Sequence, residues 1–368
     1  ALLKQWKAAA DAGDAKVQNY LGYIYANGEG VEKNPYESIR WYRPAAESGV
    51  ADAQAYLGFA YYRGVGVLAR PEEAVKWWTK SADQGNASAQ ENLAFMYFTG
   101  KGVEKNVAEA ARWYRQAAQS GSASAAFNLG LIYANGEGVY NNPPEAAKWY
   151  RAAAELGHAN AQENLAFMLF TGEKIPKNVD ESVQFWTQAA EQGVASAQDN
   201  LGFLYFHGEG VDKDPRQALA WWRKAAEQGI ASSQYNLGLM YQSGEAIEKD
   251  LFQAARWLKD AADQRLPQAQ YNLGLLHANG EGVAKNAPEA IRLFQEAADK
   301  GVPMAQYALG LMYEQGNGVA VDSAEALKWH TSAAAEGVAA AQFSLGVMHD
   351  RGVGVDKDPA KAVEWWTK

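Results

Sequence analysis

Apolar residues recur along this chain on a helical beat, and that beat is itself repeated. In the stretch 87–122, Ala89, Leu93, Met96 and Tyr97 stand at positions 3, 7, 10 and 11. At about 100° per residue they share one face of a helix. Gly100 and Gly102 follow, which is the ordinary use of glycine just past a helix C-terminus. After the loop Gly-x-Gly-Val-x-Lys-Asn a second helix begins. Its start is an Asn or Asp cap, often with Pro next and Glu three residues after the cap, as in Asn34-Pro35-Tyr36-Glu37 and Asn142-Pro143-Pro144-Glu145. Asn caps the helix, Pro suits the first turn, and the Glu predicts a capping box. The second helix carries Trp113, Ala117 and Ala118 on its apolar side and ends before Gly121.

The same unit returns every 36 residues without an insertion: Leu21-Gly22…Tyr25…Gly28, Leu57-Gly58…Tyr61…Gly64, and so on through Leu345. A fixed period of this length marks a stacked repeat, in which each unit buries its apolar face against its neighbours. Position 8 is glycine in most repeats, which predicts close approach of a neighbouring helix. Position 27 is Trp at Trp41, Trp77, Trp113, Trp149, Trp221, Trp257, Trp329 and Trp365. The expected organisation is one solenoid over residues 1–368. A terminal helix over 1–13 precedes repeats beginning near 15, 51, 87, 123, 159, 195, 231, 267, 303 and 339, the last one truncated.

The run Ala269-Gln270-Tyr271-Asn272-Leu273-Gly274-Leu275-Leu276-His277-Ala278-Asn279-Gly280-Glu281-Gly282-Val283, with Glu145-Ala146-Ala147-Lys148-Trp149-Tyr150 from the second helix, resembles the consensus of the Sel1-like repeats. These are relatives of the tetratricopeptide repeats. The resemblance covers the whole chain and implies an all-α fold, a right-handed α-α superhelical solenoid. Some positions depart from the pattern. Lys174 and Ala246 replace the second loop Gly. Leu169, His277 and His349 replace the Tyr at position 11. Phe185 and Leu293 replace Trp, and Arg265 replaces the closing Gly. The two histidines are expected to fill a Tyr-sized core slot. Pro44 falls inside a second helix and is expected to kink or shorten it.

Composition narrows the chemistry. The net charge is −9, with 34 basic and 43 acidic residues, which argues against nucleic acid as a partner. No run approaches the roughly 18 apolar residues of a membrane-spanning helix. The absence of cysteine excludes a thiol nucleophile and Cys-ligated zinc and leaves bacterial periplasm and cytoplasm both open. The first residue is Ala1 and the last, Lys368, falls inside an unfinished repeat. The reading is a trimmed piece whose targeting segment could have been removed, with end-to-end self-association through the unfinished repeat. The Gly-x-Gly loops follow helices and lack the Lys-Ser/Thr of a phosphate loop. His158, His207, His277, His330 and His349 form no close His-x-x-x-His pair. Asp212-Lys213-Asp214 and Asp356-Lys357-Asp358 read as loop charges and caps. No nucleophile, base or carboxylate pair stands out, so neither an enzyme nor a cofactor or metal is expected.

The remaining face of the first helix is the candidate site. Position 9 reads Tyr23, Phe59, Phe95, Leu131, Phe167, Phe203, Leu239, Leu275, Leu311, Val347. All are apolar, which means either packing between neighbouring first helices or an apolar stripe open to a ligand. Three repeats share an acid and two Phe at i, i+4 and i+7: Glu91/Phe95/Phe98, Glu163/Phe167/Phe170 and Asp199/Phe203/Phe206. Such a group suits an Arg or Lys of a partner. The competing reading makes Glu91 and Asp199 capping-box partners of Ser88 and Ser196. Position 6 carries Asn92, Asn128, Asn164, Asn200, Asn236 and Asn272, amides able to hold an extended peptide or to bond adjacent repeats. Tyr235, Tyr271, Tyr307 and Phe343 stand beside them at position 5.

What the resemblance implies is a non-catalytic scaffold or adaptor that holds a protein or peptide in its concave groove. A sharper version is a bacterial immunity protein that neutralises a secreted toxin through a basic face. The rival class is carbohydrate or small-ligand binding through groove aromatics.

Overall fold

The computed structural model describes residues 2–368. Among these it has helices and no strands. Helix α1 (Leu2–Asp11) is followed by ten helix pairs, from α2 (Ala15–Asn27) and α3 (Pro35–Glu47) to α20 (Ala339–Arg351) and α21 (Pro359–Trp366). The chain divides into two compact units, one ending at Gln192 and one running Gly193–Lys368. Within each unit a second helix packs on its own first helix and then on the first helix of the next repeat. The architecture is an all-α solenoid of helix pairs.

Local chemistry explains the boundaries. First helices end on a left-handed glycine, such as Gly28 with φ 80°, whose N–H donates to Ile24 O. Second helices start where Asn34 Oδ1 accepts from the N–H groups of Tyr36 and Glu37. The reciprocal half of the expected capping box does not form. The cap N–H of Asn34 donates instead to Tyr25 O at 2.9 Å, and Glu37 turns to Arg40. The same loop-closing bond joins Asn178 to Leu169 O, Asn286 to His277 O and Asp358 to His349 O. It uses the carbonyl of position 11 and is indifferent to the side chain there, which is why the departures from Tyr leave the repeat intact. His349 is buried and His277 half-buried, as a Tyr-sized core slot requires.

The close approach at the position-8 glycine has a specific occupant. A Cβ on Gly58 or Gly202 lies 2.4 Å from the ring of Trp78 or Trp222, and one on Gly22 or Gly130 lies 2.6 Å from Tyr42 or Tyr150. The residue is position 28 of the same repeat, next to the Trp that the sequence pattern singles out. It is buried in nine repeats, at 0–3% exposure in all but Tyr42 (5%). A second device ties most repeats to their neighbours, repeat four having Ala126 in place of the Gln. Buried Gln54 donates to Ala46 O (3.0 Å) and accepts from Gln84 (2.7 Å). Gln162 and Gln234 repeat the arrangement with Ala154 O and Gln192, and with Ala226 O and Gln264. A buried amide is stable only when paired in this way.

Pro44 does not shorten α3, which keeps 13 residues like its neighbours. The carbonyl that Pro44 leaves without its helical donor is that of Arg40, a residue on the exposed side, where the loss costs less than in the core. Ala246 and Arg265 keep their loops by taking the left-handed backbone themselves, each at φ 64°. Lys174 does not. A side chain in that region costs about 1–2 kcal/mol. Arg265→Gly is therefore expected to stabilise the chain by about 1 kcal/mol in denaturant titration, after the greater unfolded-state freedom of Gly is subtracted.

In repeat nine, position 28 is His330. Its ring is fully buried over Gly310, with Nε2 3.3 Å from Glu314 Oε2. Burial lowers its pKa, against the opposing pull of Glu314. The folded chain therefore holds fewer protons on this residue than the unfolded chain as pH falls below about 6.5. Stability contributed by neutral His330 is complete above that value and is lost on acidification towards its lowered folded pKa. His330→Phe, the size found at Phe294, is expected to lose less melting temperature than the native chain between pH 7.5 and 5.5.

Candidate binding face on the first helices

First helices of successive repeats approach one another more closely than second helices do. These pairs are α2 with α4 (Ala51–Arg63), α4 with α6 (Ala87–Thr99) and, in the second unit, α12 (Ala195–His207) with α14 (Ala231–Ser243). A ligand on this side can touch several repeats at once. Position 9 faces outward here. Tyr23, Phe59, Phe95, Phe167 and Phe203 are 41–58% exposed, and the Leu and Val residues of the other repeats are half-buried. Packing between first helices uses only part of each ring, as where Phe95 meets Tyr62 edge-on at 6.4 Å. Rings left this open form an apolar stripe of the kind found at interaction sites.

Position 12 has a different role. Tyr62, Phe170 and Phe206 pack on the position-28 rings Trp78, Trp186 and Trp222, with centroids 5.2–5.6 Å apart. A loop lysine lies over each position-12 Phe: Lys105 over Phe98, Lys177 over Phe170 and Lys213 over Phe206. The cation that such rings suit is thus supplied by the chain itself. Where position 12 turns small or polar, the ring at position 5 takes over the packing: Phe127 on Tyr150, Tyr271 on Phe294, Tyr307 on His330, Phe343 on Trp366. Burial raises the phenol pKa of Tyr235 and Tyr271. The change along the chain at position 12 is therefore an exchange of packing partners.

The acids at position 5 do not cap their own helices, whose N-caps are Asn86 and Val194. Glu91 accepts from Ser122 Oγ at 2.6 Å, and Asp199 from Ser232 Oγ at 2.7 Å and from Ser233 Oγ. Asp199 thereby joins its repeat to the next, and Glu91 holds the N-cap of the following first helix. Glu163 is half-buried on the same register. Two of the Asn residues likewise reach back one repeat. Asn272 Nδ2 donates to Tyr235 Oη (3.3 Å) and to Gln268 O, and Asn164 bonds Tyr150. Asn92 and Asn200 are half-buried.

Two clefts open on this face at equivalent places. In the second unit, Phe203, Phe206, Trp222, Asn236, Leu239 and Met240, with Glu245, line a cleft of 470 Å³. In the first, Phe98, Tyr114, Asn128, Leu131 and Ile132 line one of 110 Å³. The structure brings Phe203, Phe206 and Asn236 together in one, and Phe98 and Asn128 in the other. Sequence reasoning missed Trp222, Tyr114 and Met240 and named Leu239 only as part of the position-9 row. The available signal was the large residue at position 28 opposite each small residue at position 8.

Among the described residues no helix is long and apolar enough to cross a membrane. The pattern of the family described as "Sel1 repeat" matches ten segments: 15–50, 51–86, 87–122, 123–158, 159–194, 195–230, 231–266, 267–302, 303–338 and 339–368. No curated protein matches by sequence. Among solved structures, c5321, described as a protective antigen of uropathogenic Escherichia coli strains with this fold, is 36% identical. The match covers 99% of this chain and 78% of that one, with a TM-score of 0.90. A Sel1 repeat protein of Oxalobacter formigenes is 32% identical over 84% of this chain and 91% of its own, with a TM-score of 0.62. The chain belongs to the Sel1 repeat family.

Proposed function

We propose that this chain is a non-catalytic scaffold that holds an extended segment of a protein partner along its first-helix face. The observation that carries this reading is the row of outward rings at position 9, which soluble surfaces rarely leave open without use. The cleft between Phe203, Trp222 and Leu239 suits a large apolar side chain as anchor, because a buried aromatic pocket is where interface energy concentrates. The half-buried amides Asn92, Asn128, Asn200 and Asn236 can meet a peptide backbone whatever its sequence.

A basic partner fits best. Glu137, Glu173, Glu209, Glu245 and Glu281 recur at one loop position of five successive repeats, in a chain of net charge −9. A secreted basic toxin is one partner of that kind. Flat exposed rings also stack on sugars, which supports carbohydrate binding as the second reading. Salt separates the two, since the Debye length falls from about 10 Å at 0.1 M to about 3 Å at 1 M. A protein partner held on the immobilised chain is expected to elute as salt rises. Retention of an oligosaccharide at both salt levels, with no protein held at either, would favour the second reading.

A further inference from the structure

Three departures from the repeat converge on one place away from the first-helix face. Leu293 stands where eight of ten repeats have Trp, His277 replaces Tyr, and Arg265, in strained left-handed backbone, replaces Gly. All three line a cavity of 360 Å³ in the second unit, between α15 (Leu251–Asp263), α16 (Pro267–Asn279) and α17 (Ala287–Ala298). Its floor is Leu273 and Leu293, and its wall includes the Glu289–Arg292 pair.

The other repeats show what this wall is built around. In repeat three, Arg112 grips Glu109 through Nε and Nη2 (3.0 and 2.8 Å) and lies 4.5 Å from the centre of the Trp113 ring. Glu37/Arg40/Trp41, Glu145/Lys148/Trp149 and Glu325/Lys328/Trp329 are the same triad. In repeat four the indole N–H also donates to Glu145 at 2.9 Å. Repeat eight keeps the acid and the cation. Arg292 Nε donates to Glu289 at 2.9 Å, and this contact holds the Glu289 carboxyl below its ordinary pKa, so it stays an acceptor. The ring alone is missing. His277 lines the cavity at its edge.

We infer that the cavity of repeat eight binds a small planar heteroaromatic molecule bearing an N–H donor, with its ring under Arg292, its N–H on Glu289 and His277 beside it. The ligand takes the place of the indole that eight of the repeats carry in their own chain. This cavity is separate from the first-helix face. A volume of 360 Å³ lies within the about 300–1,000 Å³ of small-molecule sites, and a cation over an aromatic face adds attraction beyond burial.

Indole is the probe. Ligand-detected NMR and calorimetry on the native chain are expected to show saturable binding of indole. Binding should be at least ~10-fold weaker in Leu293→Trp, where the chain fills its own slot. N-methylindole, which lacks the donor, should bind the native chain more weakly than indole. Circular dichroism checks the fold of Leu293→Trp. If it does not fold, Arg292→Gln, an exposed change, is expected to weaken indole roughly threefold to tenfold by removing the cation. Absence of saturable indole binding, or equal binding by native and altered chains, would overturn the inference.

Discussion

Replacing Trp78 with Ala is expected to destabilise the chain by about 3–5 kcal/mol in denaturant titration, the range for removing a fully buried indole. Trp78 is 2% exposed and packs over Gly58 and against Tyr62. Its Nε1 donates to Ala55 O at 3.1 Å. The change therefore opens a cavity and removes the second bond that Ala55 O accepts beside its helical one. Gly58→Ala alone is also expected to destabilise, by about 1–3 kcal/mol, because its Cβ falls 2.4 Å from the ring and the indole must move. The two effects should not add. With Trp78 gone, the methyl introduced by Gly58→Ala enters vacated space, so the double variant should be more stable than the sum of the two losses by about 1 kcal/mol or more. Additive losses would contradict the proposed pairing of positions 8 and 28. So would a Trp78→Ala cost under about 1.5 kcal/mol.

The second large effect concerns binding. Phe203 is 44% exposed beside the larger cleft, and its ring contacts the His207 ring at 4.3 Å. Phe203→Ala is expected to weaken a protein partner by about 2 kcal/mol, roughly 30-fold, as for an aromatic anchor at the centre of an interface. Stability should change less than for a fully buried Phe, because nearly half of the residue is open to solvent. Phe206→Ala should behave in the opposite way. Its ring is half-buried between Trp222 and Lys213, so most of its loss should appear in stability. A titration in which Phe206→Ala abolishes binding while Phe203→Ala leaves it unchanged would reverse these assignments.

The helix pairs were legible because each element carries its own signal: Leu93 and Met96 at helical spacing, Gly100 past the end, Asn34 before Pro35. The partners of those elements were not. Gly58 announces close approach but does not name Trp78, which stands 20 residues away next to the more regular Trp77. Spacing placed Ser88 three residues before Glu91, yet the cap is Asn86 and the carboxylate bonds Ser122, the cap of the following first helix. A contact 31 residues distant leaves no local trace. The candidate face was read in the same partial way. Position 9 was correctly marked as uniformly apolar. The Phe residues at position 12 shared that face on a helical wheel, although their rings turn inward onto position 28. A wheel gives direction from one helix and carries no knowledge of the ring waiting on the next.

The scaffold reading stands on the outward row at position 9, so the direct test removes that row and nothing beneath it. Immobilised native chain and a Phe59/Phe95/Phe167/Phe203→Ala variant, matched in helicity and melting behaviour, are exposed to extract of the source organism, and bound protein is identified by mass spectrometry. The proposal predicts a stoichiometric protein partner on the native chain that is absent from the variant. Equal retention by both, or no protein partner on the native chain, would contradict it.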